Sequence, residues 1–187
     1  MPEAPRTYAA AGWWRRFLSF WYEVLLLAAI VLLLQAAGQF LFQLVSGLPV
    51  TALTDLPGPR ALNSVWLLVG VFAWFALCWR RGGRTLAMKA WRMRLIMANG
   101  GRLTWLAILI RFVIAGLCYG PALPLWVLAF HDRQWLFPAW LASGWLLAPF
   151  VWAWFDRDGQ LLHDRLAGTR LVITQRRQQK NQAAQQN

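Results

Sequence analysis

Residues 17–45, FLSFWYEVLLLAAIVLLLQAAGQFLFQLV, decide the architecture of this chain. From Phe17 to Val45 the run is apolar, interrupted by Ser19, Glu23, Gln35, Gln39 and Gln43. It exceeds the roughly 20 residues needed to cross a hydrocarbon core, so its helix should tilt or reach past one face. Arg15-Arg16 stand just before it, as in a twin-arginine export signal. The apolar stretch is too long for a signal h-region, and no small-residue cleavage site follows. It reads as an anchor.

Three further apolar runs follow it. One spans Ser64 to Trp79, and one spans Thr104 to Tyr119 and resumes from Leu125 to Phe130 after Gly120, Pro121 and Pro124. The last spans Trp135 to Phe155, with kinks expected near Pro138 and Pro149. Between the first two, residues 46–63 hold three prolines and two glycines and read as an irregular loop. Composition agrees with a membrane setting: 59% of residues are apolar and 14% charged, against about 25% charged in a typical soluble domain. The 14 Trp and 11 Phe suit membrane interfaces. A soluble fold of 187 residues could not bury so much apolar surface.

Charge sets the expected topology. Basic residues cluster before the first run (Arg6, Arg15, Arg16), between the second and third (seven residues from Arg80 to Arg102), and after the fourth (six from Arg157 to Lys180). Only Arg60 and Arg133 fall in the intervening loops. Four crossings with both termini in the cytoplasm therefore place the basic segments on the inner face of the plasma (inner) membrane. Counting Leu125 to Phe130 as a fifth crossing would move the basic tail outside, and the piece is too short to span. The formal charge of +12 does not indicate nucleic acid, because no groove-reading motif accompanies it. Cys78 and Cys118 lie in apolar runs and read as packing residues.

The basic side is expected to carry structure. Trp91 to Met97 alternates apolar and basic residues, the period of a half-buried strand, and Asn99-Gly100-Gly101 is a hairpin-turn signal. A small cytoplasmic β-hairpin is therefore predicted, which Thr169 to Thr174 could join as a further strand. The fold class is an all-α membrane protein: a four-helix transmembrane bundle with a small cytoplasmic β-hairpin or β element. The membrane domain is placed at residues 1–175, with a disordered polar tail at 176–187.

Three segments carry a family resemblance. The first, Trp14 to Glu23, places an acid seven residues after Arg16. The second runs from Gly82 to Leu95 and includes Gly83, Thr85 and Lys89. The third is Leu162-His163-Asp164-Arg165-Leu166-Ala167-Gly168-Thr169. Together, over roughly residues 9–175, they resemble the RDD family of membrane proteins, named for one arginine and two aspartates. Two positions depart from the pattern: Glu23 stands where an aspartate is expected, and Ala87 where the family usually has glycine. The resemblance implies a multi-pass membrane protein of a family linked variously to ion transport and to membrane assemblies.

Glu23 is the most informative single residue. It lies about 9 Å below the start of the apolar run at 1.5 Å per residue, where a carboxylate costs a few kcal/mol unless paired or neutralised. Arg16 shares its helix face, and Arg111 reaches a similar depth on the third helix, so a buried Glu23–Arg111 pair is predicted, with Arg16 nearer the surface. Such a pair either fixes helix register or leaves a carboxylate that binds a proton or cation. Gln35, Gln39 and Gln43 form a ridge suited to interhelical hydrogen bonds or a water-lined path. Asp164 is expected to clamp the basic hairpin through Arg84, Lys89 or Arg92. His163 and His131 should lie across the membrane from each other, so no metal site is read, nor any catalytic residue or cofactor. Arg80, Arg81, Arg84 and Lys89 suit anionic lipid headgroups.

Two functions remain open, both non-enzymatic. In one, the chain is part of an ion or small-solute transport system with Glu23 as the titratable group. In the other, it is an adaptor or assembly factor that docks proteins or anionic lipid through its basic face. Beyond the lipid bilayer, a second copy or another membrane protein is the expected partner.

Overall fold

The computed structural model describes residues 11–156 and 159–173. The tail at 176–187 and Thr174 lie outside the described residues. In chain order the elements are α1 (Trp13–Ser46), α2 (Ala52–Asp55), α3 (Pro57–Gly82), α4 (Leu86–Ala90), β1 (Met93–Met97), α5 (Trp105–Tyr119), α6 (Ala122–His131), a 3-10 turn (Arg133–Trp135), α7 (Leu136–Phe155), α8 (Leu162–Leu166) and β2 (Thr169–Ile173). Among the described residues four helical stretches are long and apolar enough to cross a membrane: Trp13–Ser46, Pro57–Ala90, Trp105–His131 and Arg133–Phe155. Their large apolar side chains face outward, as Leu25, Leu32, Leu33 and Val45 do on α1. That is the arrangement lipid stabilises.

The third crossing joins α5 to α6 across Gly120 and Pro121, as the break in the apolar run suggested. The second crossing starts earlier than expected. Pro57 and Pro59 open α3 instead of ending a loop, because the first turn of a helix needs no backbone donor from them. Pro138 likewise sits in the first turn of α7, while Pro149 lies inside that helix.

Helices α1 and α3 pack closely where Gly38 faces Trp66. A Cβ on Gly38 would come within 2.9 Å of Trp66 Nε1, which itself donates to the Leu34 carbonyl at 2.9 Å. Asn63 Nδ2 donates to Gln35 Oε1 at 3.2 Å, so the first glutamine of the ridge bonds across helices. Between α6 and α7, Trp126 Nε1 donates to Ser143 Oγ at 2.9 Å. Small residues and polar side chains thus hold helices that have no hydrophobic reason to meet in lipid.

The two strands form one antiparallel sheet, with Met93 opposite Ile173 and Met97 opposite Thr169. The β element is therefore present, but its strands come from distant parts of the chain and not from a local hairpin. The Asn99–Gly101 turn does close, with Gly100 N donating to the Met97 carbonyl at 2.9 Å. No return strand follows because Leu103 is buried in the core and Thr104 already caps α5, its Oγ1 accepting from Ala107 N. Ala11 N donates to the Leu171 carbonyl at 3.1 Å. This bond brings the start of α1, the α3–α5 connection and the segment after α7 to one end of the bundle. The most continuous buried core lies there too: Trp79, Met88, Met93, Leu95, Ile108 and Leu171 pack together.

Candidate functional site

In α1 the buried side chains are Arg16 and Ser19, so burial in this helix runs opposite to the rule for soluble proteins. A guanidinium held inside such a bundle must find acceptors or a counter-charge. Arg111 of α5, 5% exposed, finds both. Its Nη1 meets Oδ1 of Asp164 in α8 as an ion pair, and it donates to Thr169 Oγ1 of β2 at 3.4 Å. Its Cζ lies over the Trp79 ring, 5.1 Å from the centroid, a cation–π contact strengthened by the lack of water. One side chain joins α3, α5, α8 and β2.

This arrangement corrects two expectations. Glu23 and Arg111 lie within electrostatic reach of each other, yet the direct partner of Arg111 is Asp164. Nor does Asp164 clamp Arg84, Lys89 or Arg92. Asp164 is fully buried, so its charge requires a cation inside the bundle, and Arg111 supplies one. Lys89 and Arg92 are exposed and keep their water.

Glu23 takes a different donor. Thr85 Oγ1 donates to Glu23 Oε2 at 2.5 Å and accepts from Met88 N at 3.2 Å, as the N-cap of α4. Gly83 makes this possible: it ends α3 in the left-handed conformation, φ +66°, and turns the chain back toward α1. Thr85 is fully buried as a result. Arg16 is 3% exposed and donates through Nη1 to the carbonyl of Gly159, beyond the end of α7. Gly168, at φ +61°, turns α8 into β2. Its carbonyl accepts from Ala98 N at 2.8 Å, while Thr169 Oγ1 donates to the Asp164 carbonyl at 3.3 Å.

The structure therefore gathers Arg16, Glu23, Thr85, Arg111, His163, Asp164 and Thr169 into one polar region beneath the basic end of the bundle. The sequence missed Trp79 and Tyr119. Trp79 closes the second apolar run, and nothing in such a run marks one tryptophan as a cation's platform. Tyr119 directly precedes the Gly120-Pro121 break, which was its only signal. Its ring stands 5.8 Å from that of His163, edge to face.

His163 lies outside the four spans, at 5% exposure. Burial, with the charges of Arg111 and Arg16 nearby, holds its imidazole well below the usual 6.5. Asp164 Oδ1 is 3.7 Å from its Nε2, but that carboxylate is committed to Arg111. A histidine depressed on folding binds fewer protons in the native state, so its contribution is full above about pH 6.5 and is lost as pH falls toward the folded value. Thermal unfolding in detergent is expected to lose up to about 1.4 kcal/mol per pH unit below pH 6.5. His163→Gln should flatten that slope. Identical slopes in both proteins would show that His163 is not the group responsible.

The model of the RDD family matches residues 10–168. Comparison with curated proteins and with solved structures gave no match.

Proposed function

The chain belongs to the RDD family, and on that premise we propose that it is a non-enzymatic component of an ion or small-solute transport system in which Glu23 is the group that binds a proton or cation. One observation carries this reading. The buried arginine that could have neutralised Glu23 is paired with Asp164 instead. Among the described residues no Lys, Arg or His contacts the Glu23 carboxylate, whose hydrogen bond comes from the Thr85 hydroxyl. A carboxylate matched by an arginine would be a poor ion site. One held by a single neutral donor keeps most of its lone pairs open to a proton or a cation.

Thr85 gives that change of charge a route out of the membrane. Its oxygen bonds Glu23 and caps α4, so protonating Glu23 weakens a bond that positions the basic end. By the positive-inside rule this end faces the cytoplasm of the inner membrane. One four-helix unit is too small to enclose a pathway, so the transporting form contains further copies or another membrane subunit.

Ion flux into proteoliposomes tests the reading. Wild-type protein should carry a pH-dependent flux, and Glu23→Gln should lower it by at least about tenfold, which is 1.4 kcal/mol in the limiting barrier. Thr85→Val should retain part of the flux with a shifted pH dependence. Equal flux in wild type and Glu23→Gln would remove Glu23 from the mechanism. Flux absent from the wild type would favour the adaptor.

A further inference from the structure

The segment from Arg80 to Arg102 contains seven basic residues and no acidic one. At the end of α3 it folds around a cleft of about 550 Å³, lined by Arg80, Arg81, Gly83, Arg94 and Arg102 among others. We propose that this cleft is a binding site for a phosphate group, carried either by a lipid headgroup or by a soluble phosphorylated molecule. The site is separate from Glu23 and does not depend on the transport reading.

Four observations lead to it. Arg80 is fixed: its Nη1 donates to the Leu103 carbonyl at 2.9 Å, and its Cζ lies 5.4 Å from the Trp105 ring centroid. Arg81, Arg94 and Arg102 are exposed, and among the described residues none of them bonds an acceptor on the protein. Their donors are free. Among the described residues no carboxylate lines the cleft to offset four positive charges. Charges on a solvated surface spread apart, whereas here two connections converge on one concavity, and like charges in a concave wall focus the field on whatever anion enters.

The guanidinium chemistry suits a phosphate. Planar guanidinium forks give paired hydrogen bonds to phosphate oxygens that an ammonium does not match, and four converging arginines offer more donors than a single carboxylate would use. A Cβ built on Gly82 or Gly100 would meet nothing within 4 Å, so the floor at those positions is open backbone. The volume exceeds that of a single anion and falls within the range of small-molecule sites. Arg84, grouped with Arg80 and Arg81 from the sequence, does not line the cleft; Arg94 and Arg102 take its place.

Purified protein in zwitterionic detergent, followed by thermal shift, tests this. The probes are inorganic phosphate, glycerol phosphate, and water-soluble short-chain phosphatidylglycerol, with phosphatidylcholine of the same chain length as control. A saturable rise in melting temperature is expected with at least one phosphate probe. The triple variant Arg81→Gln, Arg94→Gln, Arg102→Gln should weaken apparent affinity at least tenfold. A charge-matched control replaces the exposed Arg15, Arg60 and Arg133 by Gln and should leave affinity unchanged. Saturation by phosphate or glycerol phosphate at concentrations no higher than phosphatidylglycerol requires assigns a soluble ligand. Preference for phosphatidylglycerol by tenfold or more assigns a headgroup. Equal weakening in both triple variants would mean diffuse attraction and overturn the site, as would the lack of any saturable response.

Discussion

Arg111→Ala is expected to lower stability by about 3–5 kcal/mol, the loss that follows when one partner of a buried ion pair is removed. The cost lies mainly with the partner left behind. Asp164 is fully buried, and without Arg111 the one titratable partner its carboxylate keeps among the described residues is His163, which burial holds neutral. Thr169 Oγ1 and the Trp79 face lose their cation in the same step. Arg111→Lys should recover little, because a compact ammonium does not stack on Trp79 while bonding two oxygens. The paired replacement Arg111→Met with Asp164→Leu should be much less harmful than either single change, since an apolar pair removes both desolvation costs together. Thermal unfolding in detergent reads the stability. A Cys78→Ala background reads the local effect, because Cys118 on the same helix is 4% exposed. It should react with a thiol probe faster in Arg111→Ala and near the wild-type rate in the apolar pair. A double replacement as damaging as Arg111→Ala would mean that the pair stabilises by more than mutual neutralisation.

The membrane spans were readable because each is a long apolar run, a property of composition that survives ignorance of packing. The partners of the polar residues were not readable, for a specific reason. Helix α1 is apolar around nearly its whole circumference, so no period in its sequence says which face meets a neighbour. Depth along the axis was available, and it put Glu23 level with Arg111. Rotation was not, and rotation decides that Thr85 faces Glu23 while Arg111 faces Asp164. The short helix α8 compounded the problem: a five-residue helix after the last span gives no sign that it docks against α5. The sheet shows the same division. Alternation from Met93 to Met97 identified a strand, and its partner, β2, is more than seventy residues away.

Gly82 and Gly83 are neighbours in the sequence, and their replacement by alanine is expected to separate them sharply. Gly82 is the last residue of α3, and a Cβ there meets nothing within 4 Å. Gly82→Ala should therefore change stability by no more than about 1 kcal/mol, with a gain favoured because alanine loses less chain entropy. At Gly83 the backbone is at φ +66°, and an added Cβ would stand 2.6 Å from the Leu95 carbonyl oxygen. That oxygen belongs to β1 and cannot swing aside like the end of a side chain. The strand is also tied to this residue, because Leu95 N donates to the Gly83 carbonyl at 2.6 Å. Left-handed backbone costs a non-glycine residue about 1–2 kcal/mol, and the overpacking adds about 1–3 kcal/mol. Gly83→Ala should lose about 2–5 kcal/mol by thermal unfolding in detergent. The loss should also reach Glu23: Thr85 is two residues on, and a shift of β1 away from α3 moves the cap that bonds the carboxylate. Flux through Gly83→Ala protein held below its melting temperature should then resemble that of Thr85→Val. Equal stability in the two glycine variants would mean that β1 yields at Leu95 without cost, and the rigid coupling between the basic end and Glu23 would have to be abandoned.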